Sequence, residues 1–158
     1  QADNNQLIPE QQALDLAEEV HKVFEFFEAW AEEKAVALRF VGSHCRVMGD
    51  PLMLRRAISN LLSNAIRYTP AGQAVTIQLS ESAETIRLVV ENPGTPIAAE
   101  HLPRLFDRFY RVDPSRQRKG EGSGIGLAIV KSIVSAHHGS VAVQSDRRST
   151  RFIVVLPK

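Results

Sequence analysis

Two asparagines, Asn60 and Asn64, stand one helical turn apart in a segment whose apolar residues recur at helical spacing. At about 100° per residue, Arg67 shares their face of the predicted helix and Tyr68 lies at its edge. Such a face offers amide oxygens to a metal ion, a guanidinium to an anion and an aromatic ring for stacking. Polar helix faces often contact only solvent, but asparagine is a mediocre helix former, so two of them in mid-helix favour a functional role.

A glycine-rich segment, 120–126, has four glycines in seven residues and directly precedes a predicted helix. Backbone N–H groups can close on an anion where no Cβ intrudes, and a helix N-terminus adds partial positive charge. The segment has neither the G-x-x-x-x-G-K-[ST] pattern of a P-loop nor the G-x-G-x-x-G pattern of a dinucleotide fold. The glycine-rich composition alone is also compatible with a flexible linker. Together with the two-asparagine helix it indicates a phosphate site at which Mg²⁺ binds an amide oxygen.

The composition is that of one globular domain, with 44% hydrophobic and 23% charged residues among 158. A net charge of +1 argues against nucleic acid as the main partner. The single cysteine, Cys45, excludes an internal disulfide, and its neighbour His44 is expected in a loop or core role rather than as a metal ligand. No apolar run approaches the ~18 residues of a membrane span. We expect 12–158 to be the domain and 1–11 the tail of an upstream helix or linker in a longer protein.

The spacing of apolar residues predicts the helices and strands that position the asparagines and the glycine-rich segment. The two-asparagine helix is predicted to start at Asp50 as N-cap, with Pro51 in its first turn, and to end before Pro70. Alternating segments predict strands at 12–16, 36–41, 74–80, 85–91, 140–145 and 151–156; helical spacing predicts helices at 17–34, near 99–105 and at 127–138. The order predicts an α+β fold with one mixed, mainly antiparallel sheet covered on one face by helices.

Three segments carry a resemblance. N-L-L-S-N-A-I-R-Y-T at 60–69 resembles the N box of sensor histidine kinases, L-F-D-R-F-Y-R-V-D at 105–113 resembles their F box, and G-E-G-S-G-I-G-L-A-I-V at 120–130 their second glycine box. The match runs in order across nearly the whole chain. The chain therefore resembles the catalytic ATP-binding domain of a bacterial sensor histidine kinase, in the superfamily of gyrase, heat-shock ninety chaperones and mismatch-repair ATPases. The sequences of segments 91–97 and 104–113 further resemble the corresponding segments of heavy-metal (copper and silver) sensor kinases.

This resemblance implies a Bergerat-type, two-layer α/β sandwich with a flexible ATP lid, binding ATP with Mg²⁺. Asn64 matches the Mg²⁺ ligand, and Asn60 matches the residue that polarises the phosphates or a metal-bound water. Arg67 would contact phosphate and Tyr68 would stack on adenine. The other residues that match nucleotide-binding positions are Asn92, Gly94, Ile97, Phe106, Phe109, Gly120, Gly122, Ser123, Gly124, Ile125, Gly126, Leu127 and Thr150.

The resemblance also implies finer roles for several of these residues. The glycines of 120–126 would wrap the triphosphate, Phe106 and Phe109 would anchor the lid, and Thr150 would help to hold adenine through water. Asn92 stands where the family has the aspartate that accepts the adenine N6 hydrogen bond. A carboxamide still offers an acceptor, but without the charge that strengthens such a bond, so weaker nucleotide affinity is expected.

One position favours kinase over ATPase chemistry. Hydrolytic members of the superfamily have a water-activating glutamate where this chain has Asn60, and a carboxamide does not act as a general base at neutral pH. Phosphoryl transfer depends on positioning and charge neutralisation, which asparagine can supply. A superfamily ATPase and a non-catalytic nucleotide-binding module remain as alternatives, the second of them allowed by Asn92.

None of the five histidines has the context of the family's acceptor histidine. His137 and His138 are expected at a helix C-terminus, where positive charge is favourable. The chain should therefore bind Mg–ATP without phosphorylating itself, and pass phosphate to the dimerisation domain of the same protein. The resemblance further implies a response regulator downstream, a monomeric fragment of a homodimeric protein, and a cytoplasmic domain attached to the inner membrane.

Overall fold

Strand β5 lies at the centre of the main sheet of this computed structural model, which describes residues 7–110 and 126–158. The strands are β1 Gln12–Asp15, β2 Ala37–Gly42, β3 Arg46–Gly49, β4 Ala74–Glu81, β5 Thr85–Asn92, β6 Ser140–Ser145 and β7 Thr150–Pro157. The α-helices are α1 Leu16–Glu33, α2 Pro51–Tyr68 and α3 Gly126–Ala136, and a 3-10 helix spans Ala99–Arg104.

The main sheet has five strands in the order β2-β4-β5-β7-β6. β2 runs parallel to β4, and the other three pairings are antiparallel. This arrangement confirms the predicted α+β fold with a mixed, mainly antiparallel sheet. The strands predicted at 74–80 and 85–91 form the antiparallel β4–β5 pair, in which Ile77 lies opposite Val90 and Leu79 opposite Leu88.

The structure adds a small second sheet that the periodicity did not predict. β1 pairs with β3 and does not join the main sheet among the described residues. β3 has only four residues, with alternate exposed and buried positions, so its sequence is too short to show a reliable period. The prediction of one sheet therefore missed the β1–β3 pair.

Helix α2 packs as its apolar spacing predicts. Its buried side chains are Leu54, Ala57, Ile58, Leu61, Leu62, Ala65 and Ile66. They belong to one core with the inward residues of β4, β5 and β7 and the buried face of α3. Their burial leaves the opposite, polar face of α2 directed away from this core, which fixes the orientation of the two asparagines.

Helix α3 ends two residues earlier than predicted. His138 takes a left-handed conformation at φ 64°, and the Gly139 N–H donates to Val134 O at 2.9 Å, which closes the helix. Gly139 is needed for another reason: a Cβ there would lie 2.3 Å from Val155 O.

The histidine pair expected at a helix C-terminus follows α3 directly, and its first member is His137. This residue is buried, its Nε2 accepts the Asp50 N–H at 3.0 Å, and its Nδ1 donates to Ile133 O at 2.9 Å. Both ring nitrogens of His137 are therefore engaged in hydrogen bonds within the protein. His137 thereby ties the end of α3 to the start of α2.

Asp50 caps α2 as predicted, and its carboxylate should make the stability of the protein pH-dependent. The Glu10 N–H first, then those of Met53 and Leu52, donate to this carboxylate and hold the pKa of Asp50 below its usual value. A depressed folded-state pKa stabilises the protein above the unfolded pKa of about 3.9, and this stabilisation is lost as the pH falls through the folded pKa.

We expect Asp50→Ala to lower the free energy of unfolding at pH 7 by about 1 kcal/mol, the usual cost of losing an N-cap. Urea denaturation at pH 7 and below pH 4 measures the difference between parent and variant, which should shrink at the lower pH. Asp50→Asn is the matched control, because it keeps a cap acceptor that does not titrate. A parent–Asn difference that is constant across this pH range would contradict the role of the charge.

Candidate nucleotide site

The polar face of α2 lies against the start of α3. Asn60 Nδ2 donates to Gly126 O at 3.1 Å, and a Cβ added at Gly126 would lie 3.9 Å from that same nitrogen. Asn60, Asn64 and Arg67 are all half-buried. The structure thus brings the two-asparagine face to Gly126, the residue that ends the glycine-rich segment and begins the described part of α3.

A second polar group lies at one end of the main sheet. Asn92, the last residue of β5, is the register partner of Thr150, the first residue of β7, and Thr150 is in turn opposite Ser145 of β6. Asn92 and Thr150 are buried. Asn92 Nδ2 donates to Pro93 O at 2.7 Å, which leaves its Oδ1 as the acceptor of the side chain.

Gly94 connects these two groups. Its φ is +139°, and a Cβ there would lie 2.8 Å from Tyr68 O and 3.7 Å from Asn92 Nδ2. Only glycine therefore allows the chain after β5 to pass this close to the end of α2. Ile97, further along the same loop, is half-buried and donates its N–H to Ser145 Oγ at 2.8 Å. Tyr68 itself is 47% exposed.

The two phenylalanines expected to anchor the lid differ in their surroundings. The ring of Phe106 meets that of the buried Phe152 edge to face, with 6.0 Å between centroids. Phe109 is 64% exposed and has φ 66°, and its expected role in anchoring the lid stays a prediction. The hydroxyl of Tyr110 contacts His101 Nδ1, and the Tyr110 ring centroid lies 4.7 Å from the Arg104 guanidinium carbon.

Several predicted site residues lie outside the described residues. They are Gly120, Gly122, Ser123, Gly124 and Ile125. Gly126 and Leu127, which follow them, form the first turn of α3. The described part of the candidate site lies on α2, α3 and the ends of β5 and β7.

Cys45 and His44, the two adjacent residues that could suggest a metal site, have structural surroundings instead. Cys45 is buried in the core, and burial raises the pKa of its thiol, which disfavours the thiolate that binds metals. Its neighbour His44 is exposed and contacts Asp15 Oδ2. Within 7–110 and 126–158, no three His, Cys, Asp or Glu side chains are placed to hold a metal ion together. No helix in these ranges is long and apolar enough to span a membrane.

Residues 49–158 match the family model described as histidine kinase-, DNA gyrase B-, and HSP90-like ATPase. The chain belongs to this family. The matched region contains both polar groups of the site, from the start of α2 to the end of β7. Membership in a family of ATPases agrees with a site built from a carboxamide face and a helix N-terminus.

Two relatives of this chain are a sensor histidine kinase and a probable sensor kinase. The chain is 71% identical over 157 residues to sensor histidine kinase CusS of Escherichia coli K12, and 63% identical over 162 residues to probable sensor kinase SilS of Salmonella typhimurium. The alignments cover 99% and 100% of this chain but 33% of each relative, so the chain spans about a third of their length. The solved mycobacterial sensor histidine kinase MprB has a TM-score of 0.82 and 28% identity, covering 93% of this chain and 97% of that one.

Sequence reasoning missed Ser145 and Tyr110. Ser145 is an unremarkable strand-end serine in sequence, and only the register across β5, β7 and β6 places it beside Thr150. Tyr110 stands within the segment that resembles the F box, and that resemblance is the signal that could have indicated it.

Proposed function

We propose that this chain binds Mg–ATP and supplies the γ-phosphate to a histidine of a dimerisation domain, as the catalytic domain of a two-component sensor histidine kinase. The observation that carries the proposal is the contact of Asn60 with Gly126, which brings together the two-asparagine helix and the glycine-rich segment. Membership in the ATPase family and the similarity to CusS support it.

At the phosphate end, Asn64 is the Mg²⁺ ligand, since an amide oxygen suits this hard cation. Asn60 polarises the phosphates or a metal-bound water, and Arg67 contacts a phosphate. The glycines of 120–126, with Leu127 after them, enclose the triphosphate. Bound Mg²⁺ would neutralise charge on the phosphates.

At the nucleobase end, Asn92 Oδ1 accepts the adenine N6 hydrogen bond and Tyr68 stacks on the ring. Thr150 holds adenine through water. Gly94 and Ile97 form the adjoining wall of the pocket, and Phe106 holds the near end of the lid on the core.

Transfer is favoured over hydrolysis, because Asn60 offers no general base to activate water. The acceptor histidine belongs to a dimerisation domain, so the chain alone should bind ATP and stay unphosphorylated. The rest of the proposal concerns the full-length protein: a membrane-attached homodimer that senses a heavy metal such as copper or silver and passes phosphate to a response regulator. Its cytoplasmic catalytic domain is 12–158, with 1–11 as the connection.

Labelled ATP tests this proposal directly. The chain alone should gain no label, and a separately supplied phospho-acceptor domain should gain label when the chain is added. Steady release of inorganic phosphate without transfer would favour an ATPase. Nucleotide binding without either reaction would favour a non-catalytic module.

We expect Asn92→Asp to bind an ATP analogue several-fold more tightly, because the N6 hydrogen bond becomes charge-assisted. The same change removes the bond from Nδ2 to Pro93 O, so the melting temperature should fall slightly. Fluorescence titration measures the affinity. A guanine analogue is the control, since it presents an acceptor where adenine has N6 and should gain nothing. Weaker binding of the ATP analogue than in the parent would contradict the assignment of Asn92.

A further inference from the structure

Three polar side chains form a row across the end of the main sheet, in the register order Asn92, Thr150, Ser145. Residues directly opposite each other on paired strands point to the same face, so the three side chains share one face. Ser145 Oγ lies 2.7 Å from Thr150 Oγ1 and accepts the Ile97 N–H at 2.8 Å. Ser145 therefore joins the first residue of β7 to the loop that follows Asn92.

Either hydroxyl of the Ser145–Thr150 pair can donate to the other, and the arrangement with Ser145 as the donor leaves the Thr150 hydrogen for a ligand. A serine hydroxyl has one hydrogen to donate. The Ile97 N–H is a donor and cannot receive it, whereas Thr150 Oγ1 can. With the Ser145 hydrogen given to Thr150, the Thr150 oxygen acts as acceptor and its own hydrogen is available to a ligand. Thr150 then presents a donor beside the Asn92 acceptor.

We propose that Ser145 is a positioning residue that selects adenine over guanine by orienting the Thr150 hydroxyl and holding the 93–97 loop. This inference rests on the proposed function, in which Asn92 and Thr150 face the nucleobase. Adenine has a donor at N6 and an acceptor at N1, which matches the Asn92 acceptor and the Thr150 donor, directly or through one water. Guanine has the reverse pattern, an acceptor at O6 and a donor at N1, and would leave these groups unpaired.

Replacement of Ser145 by alanine tests this inference. The dissociation constants of a non-hydrolysable ATP analogue and of its GTP counterpart, both with Mg²⁺, give an adenine-to-guanine preference for each protein. We expect Ser145→Ala to lower that preference by about tenfold, the factor that one lost buried hydrogen bond produces. Ser145→Thr keeps the hydroxyl and should restore the preference. Ser140→Ala is the matched control, an exposed serine at the other end of β6 that should leave it unchanged.

The outcomes separate this inference from the proposed function. If Ser145→Ala weakens both nucleotides equally, Ser145 is only structural and the inference fails, while the proposed function stands. An unchanged preference also overturns the inference alone. If the parent protein binds neither nucleotide, both the inference about Ser145 and the proposed function are wrong. If Ser145→Ala does not fold, Ser145→Cys replaces it, because the weakly hydrogen-bonding thiol keeps the size of the side chain and should lower the preference in the same direction.

Discussion

Replacing Asn64 by aspartate is expected to reduce phosphoryl transfer about a thousandfold, the scale on which removal of one charge-stabilising group acts. Asn64 lies one turn from Asn60 on the face of α2 that meets the start of α3. At neutral pH the aspartate would be ionised, so it would repel the phosphate oxygens and lose the amide N–H₂ donors. Because the side chains are nearly equal in size, packing should not change.

The measurement is the initial rate of label transfer from ATP to a separately supplied phospho-acceptor domain. Arg56→Gln, an exposed change on the same helix, is the matched control and should leave the rate within about twofold of the parent. A melting temperature equal to that of the parent would show that Asn64→Asp is folded. Transfer at the parent rate in this variant would remove Asn64 from the mechanism.

Replacing Leu62 by alanine should lower the free energy of unfolding by about 3 kcal/mol. Leu62 has 0% exposure and lies on the buried stripe of α2, so its loss leaves a cavity among side chains that belong to the same core as α3 and the sheet. For a chain of this size the melting temperature should fall by roughly 10 °C. Urea denaturation followed by circular dichroism measures the change.

Leu52→Ala makes the same chemical change on the same helix at a side chain with 71% exposure. Its effect should stay within about 0.5 kcal/mol, because little apolar surface is buried there. Equal losses in the two variants would show that α2 does not pack on the core through the face described above.

The sequence predicted those parts of the fold that depend on the residues of one continuous segment. The stripe of α2 has seven apolar positions at helical spacing, and all seven are buried. Asp50 and Pro51 marked the start of that helix, and the alternating segments at 74–80 and 85–91 marked β4 and β5. In each case the pattern of a single segment determines which face is buried or where the element begins.

Contacts between segments that are distant in the chain could not be predicted from the pattern of either segment. β3 has only four residues, and it is a strand because it pairs with β1, more than 30 residues earlier in the chain. The buried His137 hydrogen-bonds to the N–H of Asp50, 87 residues away in the chain. Ser145 meets Thr150 and Ile97 only because three strands end at the same edge of the sheet. Phe109 has a left-handed backbone that periodicity does not indicate.

Isothermal titration calorimetry with a non-hydrolysable ATP analogue tests the central claim most directly, namely that a magnesium–triphosphate is bound between the asparagines of α2 and the glycine-rich segment before α3. We predict saturable binding of one nucleotide per chain that requires Mg²⁺ and is weakened at least about tenfold by Asn64→Ala, the loss of one metal ligand. Binding that is indifferent to Mg²⁺ and to Asn64→Ala, or no binding at all, would contradict the account.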